Sequence, residues 1–284
     1  MKKVLVLFLT AIIFSFFCSC KKEPEFPDRE AHMNNNVSTY TYSEYEENAK
    51  KEKQEKIDRI KNAEWKKNPE KYKLIALTFD DAPSYSTATN NNTVKIIDAI
   101  NKYEGAGTLF CIGKNIDSNG TALLEYALEL NFELANHTYN HNYLDKLSKS
   151  EVKDEILSLN KLINEKLGVT PRFVRPGYGN VNDTVFEVTT ELKMPVIWTE
   201  IKGISDYSPE STAMFIENKV VNGAKDGAIV LLHGNIDNTA SAMENICKRL
   251  YEKGYRFVTV SELFEYKGIK NIPTDKMIEN AGFN

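Results

Sequence analysis

From residue 73 onward, short apolar runs alternate with longer segments of helical periodicity. Short apolar runs bounded by polar or turn residues are typical of strands buried in a sheet. The pattern predicts strands over residues 74–79, 107–110, 132–135, 172–174, 195–198, 228–232 and 256–260. It predicts helices over residues 91–103, 121–130, 149–167, 183–193, 209–222 and 238–253. Strands separated by helices indicate βα units around a parallel sheet or barrel.

The first 71 residues lack this alternation. Lys2 and Lys3 precede an apolar stretch that is too short to span a bilayer and is typical of a secretory signal. The sequence Cys18-Ser19-Cys20 followed by Lys21-Lys22 resembles the end of a bacterial lipoprotein signal. This resemblance implies a signal peptide at 1–19 and a lipid anchor on Cys20. Ordinary secretion with cleavage nearby is the alternative.

Two further segments follow the signal. Residues 20–42 carry Pro24, Pro27 and three adjacent asparagines, and we interpret them as a flexible tether in which His32 is inert. Residues 43–71 are highly charged with a sparse apolar stripe. This composition predicts a helical spacer at the surface, ending before Pro69 and without a function of its own.

Composition and charge exclude one class of partner. The 284 residues are 42% apolar and 27% charged, as in an ordinary globular protein. The net charge is −4, and Lys and Arg are scattered along the chain, so the sequence has no basic cluster of the kind that binds nucleic acid. Cys111 and Cys247 fall within apolar patterns, so we expect buried thiols rather than a disulfide or a metal pair.

Several chemically competent side chains follow the predicted strands. Asp80 and Asp81 come directly after the strand at 74–79, and His233 follows the strand at 228–232. His137 and His141 follow the strand at 132–135. Reactive groups of α/β folds lie at the carboxyl ends of strands. The histidine pair alone could be two packed or solvated residues on one helix face, but the combination predicts a hydrolytic metal site.

Five segments together carry a family resemblance. They are residues 78–83 (TFDDAP), 137–141 (HTYNH), 175–179 (RPGYG), 206–207 (DY) and 231–233 (LLH). In this order they resemble the motifs of polysaccharide deacetylases of the NodB-homology type, carbohydrate esterase family 4. The departures are Ala82 in place of Gly, Gly177 in place of Pro and Tyr207 in place of Trp. The resemblance covers residues 72–266 and leaves residues 267–284 as a C-terminal extension.

The resemblance implies a fold and a metal site. The family fold is a distorted (β/α) barrel, often with seven strands. Asp81, His137 and His141 would hold a divalent metal, for which Zn²⁺ fits best and Co²⁺, Mn²⁺ or Ni²⁺ are alternatives. Asp80 would act as general base, and His233 would protonate the leaving group.

Other residues receive supporting roles from the same resemblance. Arg175 would pair with Asp80 and keep it ionised, although a purely structural salt bridge is the alternative. The backbone N–H of Tyr178 would stabilise the oxyanion. Asp206 would tune His233 or Arg175. Candidates for the apolar walls around the acetyl methyl are Leu231, Tyr207 and Trp198, the last of which could also be plain core.

The function implied is metal-dependent removal of N-acetyl, or O-acetyl, groups from a polysaccharide outside the cytoplasm. The protein would be membrane-anchored at the periplasmic face or the cell surface. One alternative is a hydrolase of a small cyclic amide or urea on the same scaffold. A second alternative is a non-catalytic glycan-binding lipoprotein.

Overall fold

The computed structural model describes residues 42–84 and 91–282. The expected signal peptide, Cys20, His32 and the tether up to residue 41 lie outside the described residues. Within the two described ranges, no helix is long and apolar enough to cross a membrane.

The described residues form seven strands and eight helices. The strands are β1 (Lys73–Ala82), β2 (Thr108–Cys111), β3 (Glu133–Asn136), β4 (Val196–Ile197), β5 (Ala228–His233), β6 (Tyr255–Val258) and β7 (Met277–Ile278). The helices are α1 (Tyr42–Lys61), α2 (Asn92–Asn101), α3 (Ser118–Glu129), α4 (Lys149–Leu167), α5 (Asp183–Glu191), α6 (Ala213–Gly223), α7 (Asp237–Glu252) and α8 (Val260–Tyr266).

Strand β1 is the centre of the sheet. It pairs in parallel with β5 on one side, and with β2 and β6 along different parts of the other side. Strand β3 pairs with β2, and β4 pairs with β7. Val174 joins the two groups through single parallel bridges to Asn136 and Val196. A hydrogen bond of 2.9 Å from Glu200 N to Ile229 O leads from the residues after β4 back to β5. The result is a distorted (β/α) barrel, which confirms the predicted fold class.

The core lies between this sheet and its helices. The side chains of β1 from Leu74 to Phe79 are at most 1% exposed, as expected for a parallel strand covered on both faces. Cys111 and Cys247 are buried free thiols, which confirms the prediction, and burial raises the pKa of both.

Helix α4 spans the predicted residues, because its ends carry strong local signals. The Ser148 hydroxyl and the Glu151 carboxylate form a reciprocal capping box at its start. Gly168 ends the helix with a left-handed φ of 71°, a conformation that favours glycine.

Two strand predictions need correction, and two short elements were not predicted. Residues 172–174 form no strand, because only Val174 pairs with neighbouring strands. The flanking Pro171 and Pro176 lack the N–H group that a strand ladder requires. The strand predicted over 256–260 stops at Val258, because Thr259 caps α8. Helix α8 itself, and strand β7 within the C-terminal extension, were not predicted.

The charged spacer is helical up to Lys61 and then continues in two short 3₁₀ turns. It is less solvated than the sequence suggested, because Ile60 and Trp65 are 0% and 2% exposed within the core of the barrel domain. An ion pair of 2.8 Å between Lys56 and Asp98 ties α1 to α2. The end of the spacer therefore packs against the domain.

Candidate metal and catalytic site

The end of β1 brings two adjacent carboxylates to one place. In a regular strand, successive side chains point to opposite faces. The β1–β2 pairing shifts register between Phe79 and Ala82, and Asp81 has a left-handed φ of 64°. A bulge of this kind re-aims a side chain. Asp80 Oδ2 and Asp81 Oδ1 consequently both lie 3.7 Å from His137 Nε2.

The two histidines lie in the loop after β3, so the alternative of two packed or solvated residues on one helix face is wrong. Thr138 and His141 have φ values of 68° and 61°, which a right-handed helix does not permit. Asn136 Oδ1 accepts a hydrogen bond of 2.8 Å from the Thr138 N–H. The Thr138 hydroxyl oxygen accepts one of 3.0 Å from the His141 N–H. These bonds turn the chain so that both imidazoles point to the carboxylates.

Three potential ligand atoms face one another. Nε2 of His137 and Nε2 of His141 are 3.2 Å apart, and Asp81 Oδ1 lies 3.7 Å and 3.6 Å from them. Asp81 Oδ1 is buried and has no hydrogen-bond partner. A buried carboxylate oxygen without a partner is costly unless a cation satisfies it.

The protonation of the imidazoles suits metal binding. His137 Nδ1 lies 2.6 Å from the backbone oxygen of Arg175, which can only accept, so Nδ1 carries a proton and, in the neutral ring, Nε2 presents the lone pair. Burial and the nearby His137 lower the pKa of His141, which favours its neutral, metal-binding form. One carboxylate and two imidazoles are a donor set that fits a divalent cation.

Asp80 is held by a buried arginine. Arg175 is 0% exposed, and its Nη1 donates to Asp80 Oδ1 at 2.7 Å and to Thr78 Oγ1 at 2.8 Å. Its Nε and Nη2 donate to the backbone oxygens of Ile197 and Trp198. Burial on its own raises the pKa of Asp80, but the charge of Arg175, followed by those of nearby histidines, outweighs it and holds that pKa below its usual value.

His233 carries the opposite charge. Strand pairing places it beside Asp80 in the neighbouring strand. Its Nδ1 and its backbone N–H both lie 2.7 Å from the Asp206 carboxylate. Burial lowers the pKa of His233, but the hydrogen bond to Asp206 and the charges of Asp80, Asp206 and Asp81 raise it to about 9. His233 is therefore protonated at neutral pH, with Nε2 as the nitrogen not engaged by Asp206.

The remaining predicted residues surround these groups. The ring of Tyr178 lies 4.6 Å from that of His141, and the ring of Tyr207 lies 5.5 Å from that of His233. The Trp198 ring lies beneath the Tyr178 turn, since a Cβ on Gly179 would come within 2.2 Å of it. Leu231 is half-buried and lies two residues before His233 in β5, hence on the same face of the strand.

Sequence reasoning missed residues that position this site. The Asn235 side-chain amide donates to Asp81 Oδ2 at 3.1 Å, which leaves Oδ1 to face the imidazoles. The Thr239 hydroxyl donates to Asp206 at 2.7 Å. The carboxylate of Glu155, in α4, accepts from the N–H and the side chain of Asn140, both at 2.8 Å. Only Asn235, two residues after His233, had a sequence position that could have suggested its role.

Comparison with known proteins identifies the family of this chain. Residues 67–197 fit the family model described as polysaccharide deacetylase. A peptidoglycan-N-acetylglucosamine deacetylase of Bacillus cereus is 36% identical over 203 residues, which cover 70% of this chain and 92% of that protein. The chain belongs to the polysaccharide deacetylase family.

Two further relatives of this polysaccharide deacetylase family member show the extent of the similarity. The bifunctional xylanase/deacetylase of Pseudobutyrivibrio xylanivorans is 37% identical over 205 residues, covering 71% of this chain but 32% of that protein. The chain thus spans about a third of the length of that relative. The Xyl-CE4 domain of a multidomain xylanase from the hindgut metagenome of Trinervitermes trinervoides has a TM-score of 0.68 and 34% identity. That alignment covers 75% of this chain and 100% of the domain.

One departure from the deacetylase motifs has a visible structural setting. Gly177, where a proline is usual, lies against the His141 ring, and a Cβ there would come within 3.1 Å of it. Such a contact is tight enough that the ring would have to shift. Glycine at this position therefore lets the His141 imidazole lie close to the backbone of the Tyr178 turn.

Proposed function

We propose that this protein hydrolyses N-acetyl or O-acetyl groups of a polysaccharide outside the cytoplasm. The observation that carries the proposal is the arrangement around Asp81 Oδ1. This unpartnered buried oxygen faces two imidazoles, with an ionised Asp80 on one side and a protonated His233 beyond it. A proton acceptor and a proton donor beside a cation site are the groups that metal-assisted acyl hydrolysis uses.

In this proposal Asp81, His137 and His141 hold a divalent ion. Zn²⁺ suits a site with two imidazoles and one carboxylate, while Co²⁺, Mn²⁺ and Ni²⁺ are alternatives. When bound, such an ion supplies polarisation of the acetyl carbonyl and a lowered pKa for a water molecule. The fit rests on the orphaned Asp81 oxygen and on the Nε2 atoms of His137 and His141, which both face it.

Asp80 takes the proton from the attacking water. Arg175 engages its Oδ1, so Oδ2, which faces His137, is the oxygen available as acceptor. The lowered pKa keeps Asp80 ionised at neutral pH. Arg175 also fixes the carboxylate in one orientation, because its guanidinium is itself held by Thr78 and two backbone oxygens.

His233 gives a proton to the departing nitrogen or oxygen. Asp206 binds its Nδ1, so Nε2 is the donating atom, and the raised pKa keeps it charged. The backbone N–H of Tyr178 donates to the oxyanion. Leu231, Tyr207 and Trp198 enclose the acetyl methyl in this proposal.

The relatives suggest the class of substrate. One is named for N-acetylglucosamine in peptidoglycan, and two others come from xylan-degrading proteins. We therefore propose an acetylated glycan of the peptidoglycan or xylan type. Cleavage of N-acetyl groups would make the protein an amidase, and cleavage of O-acetyl groups would make it an esterase.

Acetate release from a panel of glycans tests the function. Peptidoglycan, N-acetylglucosamine oligomers and acetylated xylan would be incubated with protein stripped by a chelator, before and after addition of Zn²⁺ or Co²⁺. We expect acetate only with metal, and from at least one of these glycans. Glycan binding without acetate release would favour the non-catalytic alternative. Turnover of a small cyclic amide alone would favour the other hydrolase.

We also propose that the protein is anchored in a membrane through a lipid on Cys20, with the domain facing the periplasm or the cell surface. The basis is the signal-like sequence at residues 1–19 and the Cys20 that follows it. Replacing Cys20 by Ala should move the protein from the membrane fraction to the soluble fraction and abolish labelling by a fatty-acid probe. A membrane-bound, unlabelled Cys20→Ala variant would indicate an uncleaved anchor instead.

A further inference from the structure

Three exposed tyrosines surround the proposed catalytic centre. Tyr143, Tyr178 and Tyr207 are 47%, 55% and 65% exposed, and every other tyrosine from residue 47 onward in the described ranges is at least half-buried. Tyr178 contacts the ring of His141, and Tyr207 contacts that of His233. Exposed aromatic rings gathered at one place mark a binding surface rather than a random surface composition.

Tyr143 extends this surface away from the reacting groups. Its ring stacks on that of Tyr178, with centroids 3.9 Å apart and planes 10° apart. Among the ring contacts of the described residues, Tyr143 contacts no site histidine, so it lies one aromatic ring beyond His141. A ligand that touches Tyr143 is therefore the neighbour of the group undergoing reaction.

The exposure of Tyr143 does not come from a loosely held loop. On one side, the Asn142 side chain donates to Glu155 at 3.0 Å. On the other side, Leu144 is 0% exposed. The backbone that presents the Tyr143 ring is thus anchored on both sides. A rigid aromatic side chain loses little entropy when a ligand covers it, which favours binding.

The ring suits one kind of ligand. A pyranose presents C–H groups on its faces and hydroxyls at its edge. Tyrosine offers an apolar face and a polar tip, which match these two features. We propose that Tyr143, backed by Tyr178, is a subsite for the sugar next to the acetylated one. The proposal rests on the deacetylase function proposed above.

A merely structural role for Tyr143 makes a different prediction. Its ring could serve only to support Tyr178, whose φ of 61° is unusual for a residue other than glycine. Loss of such support would impair substrates of every length equally. Loss of a subsite would impair only substrates long enough to reach it.

Steady-state kinetics on two substrates separate these roles. N-acetylglucosamine and its β-1,4-linked tetramer would be compared for wild type, Tyr143→Ala and Tyr143→Phe. Leu157→Ala, which removes an exposed apolar side chain of α4, is the matched control. We expect Tyr143→Ala to raise KM for the tetramer about tenfold and to leave KM for N-acetylglucosamine unchanged. Tyr143→Phe keeps the ring face and should lose much less than Tyr143→Ala, and Leu157→Ala should stay close to wild type.

Equal losses on both substrates, or an unchanged KM for the tetramer, would overturn the subsite. Calorimetric binding of the tetramer to an Asp80→Asn background adds a readout that needs no turnover. Tyr143→Ala should weaken this binding about tenfold as well, and unchanged binding would also overturn the subsite. If the proposed deacetylase function is wrong, the wild-type protein would bind the tetramer but release no acetate, which is a different result from loss of the subsite.

Discussion

Replacing Asp80 by Asn should leave the metal bound and lower kcat by about 10²–10⁴, the usual contribution of a general base. The amide keeps an oxygen for the guanidinium of Arg175 but has no basic oxygen for the proton of water. Because Arg175 is fully buried, loss of its partner's charge should also destabilise the fold. The thermal unfolding of the variant is therefore measured as well, and the kinetics are recorded well below the melting temperature of the variant.

The neighbouring Asp81→Asn variant is the matched comparison. It removes the charge from the proposed ligand, whereas Asn235 remains to orient the side chain. We expect a large loss of metal affinity and a partial return of activity in excess metal. If Asp80→Asn loses the metal while Asp81→Asn keeps it, the roles of the two acids are reversed.

Replacing His233 by Ala should have an effect of similar size to that of Asp80→Asn. The metal should stay bound, and kcat on an N-acetyl substrate should fall by about 10²–10⁴ because the leaving amine loses its proton donor. The loss should be smaller on an O-acetyl substrate, since an alkoxide leaves with less help than an amine. Equal losses on both substrates would contradict the role of His233 as the acid.

The pH dependence provides an independent check on His233. Its pKa of about 9 means that the charged form is present below that pH and is lost as the pH rises through it. The rate should therefore decline on the alkaline side near pH 9. Asp206→Asn removes the hydrogen-bonded charge that raises this pKa and should shift the decline to lower pH by about one to three units. If the alkaline decline in rate does not move in Asp206→Asn, a group other than His233 causes that decline.

Much of the fold could be predicted from local pattern. Strand β1 follows from an unbroken apolar run, and α4 follows from its caps at Ser148 and Gly168. Strand β7 could not be predicted, because it is two residues long and exists only through its pairing with β4. The same holds for Val174, whose sheet position depends on its two neighbours rather than on its own sequence.

The identity of the site residues could be predicted from the sequence, but their arrangement in space could not. The positions of Asp80, Asp81, His137, His141 and His233 at strand ends indicated a shared edge. The sequence did not reveal the bulge that turns Asp81 toward His137, or the left-handed residues that shape the histidine loop. The contacts of Asn235 also depend on tertiary structure, since that residue is 154 positions from Asp81.

The metal content of the purified protein tests the central claim most directly. Wild type and the double variant His137→Ala/His141→Ala would be loaded with Zn²⁺, desalted and measured by elemental analysis, with circular dichroism to verify folding. The account predicts about one ion per wild-type chain and almost none in a folded double variant. Stoichiometric metal that survives the loss of both imidazoles would contradict it.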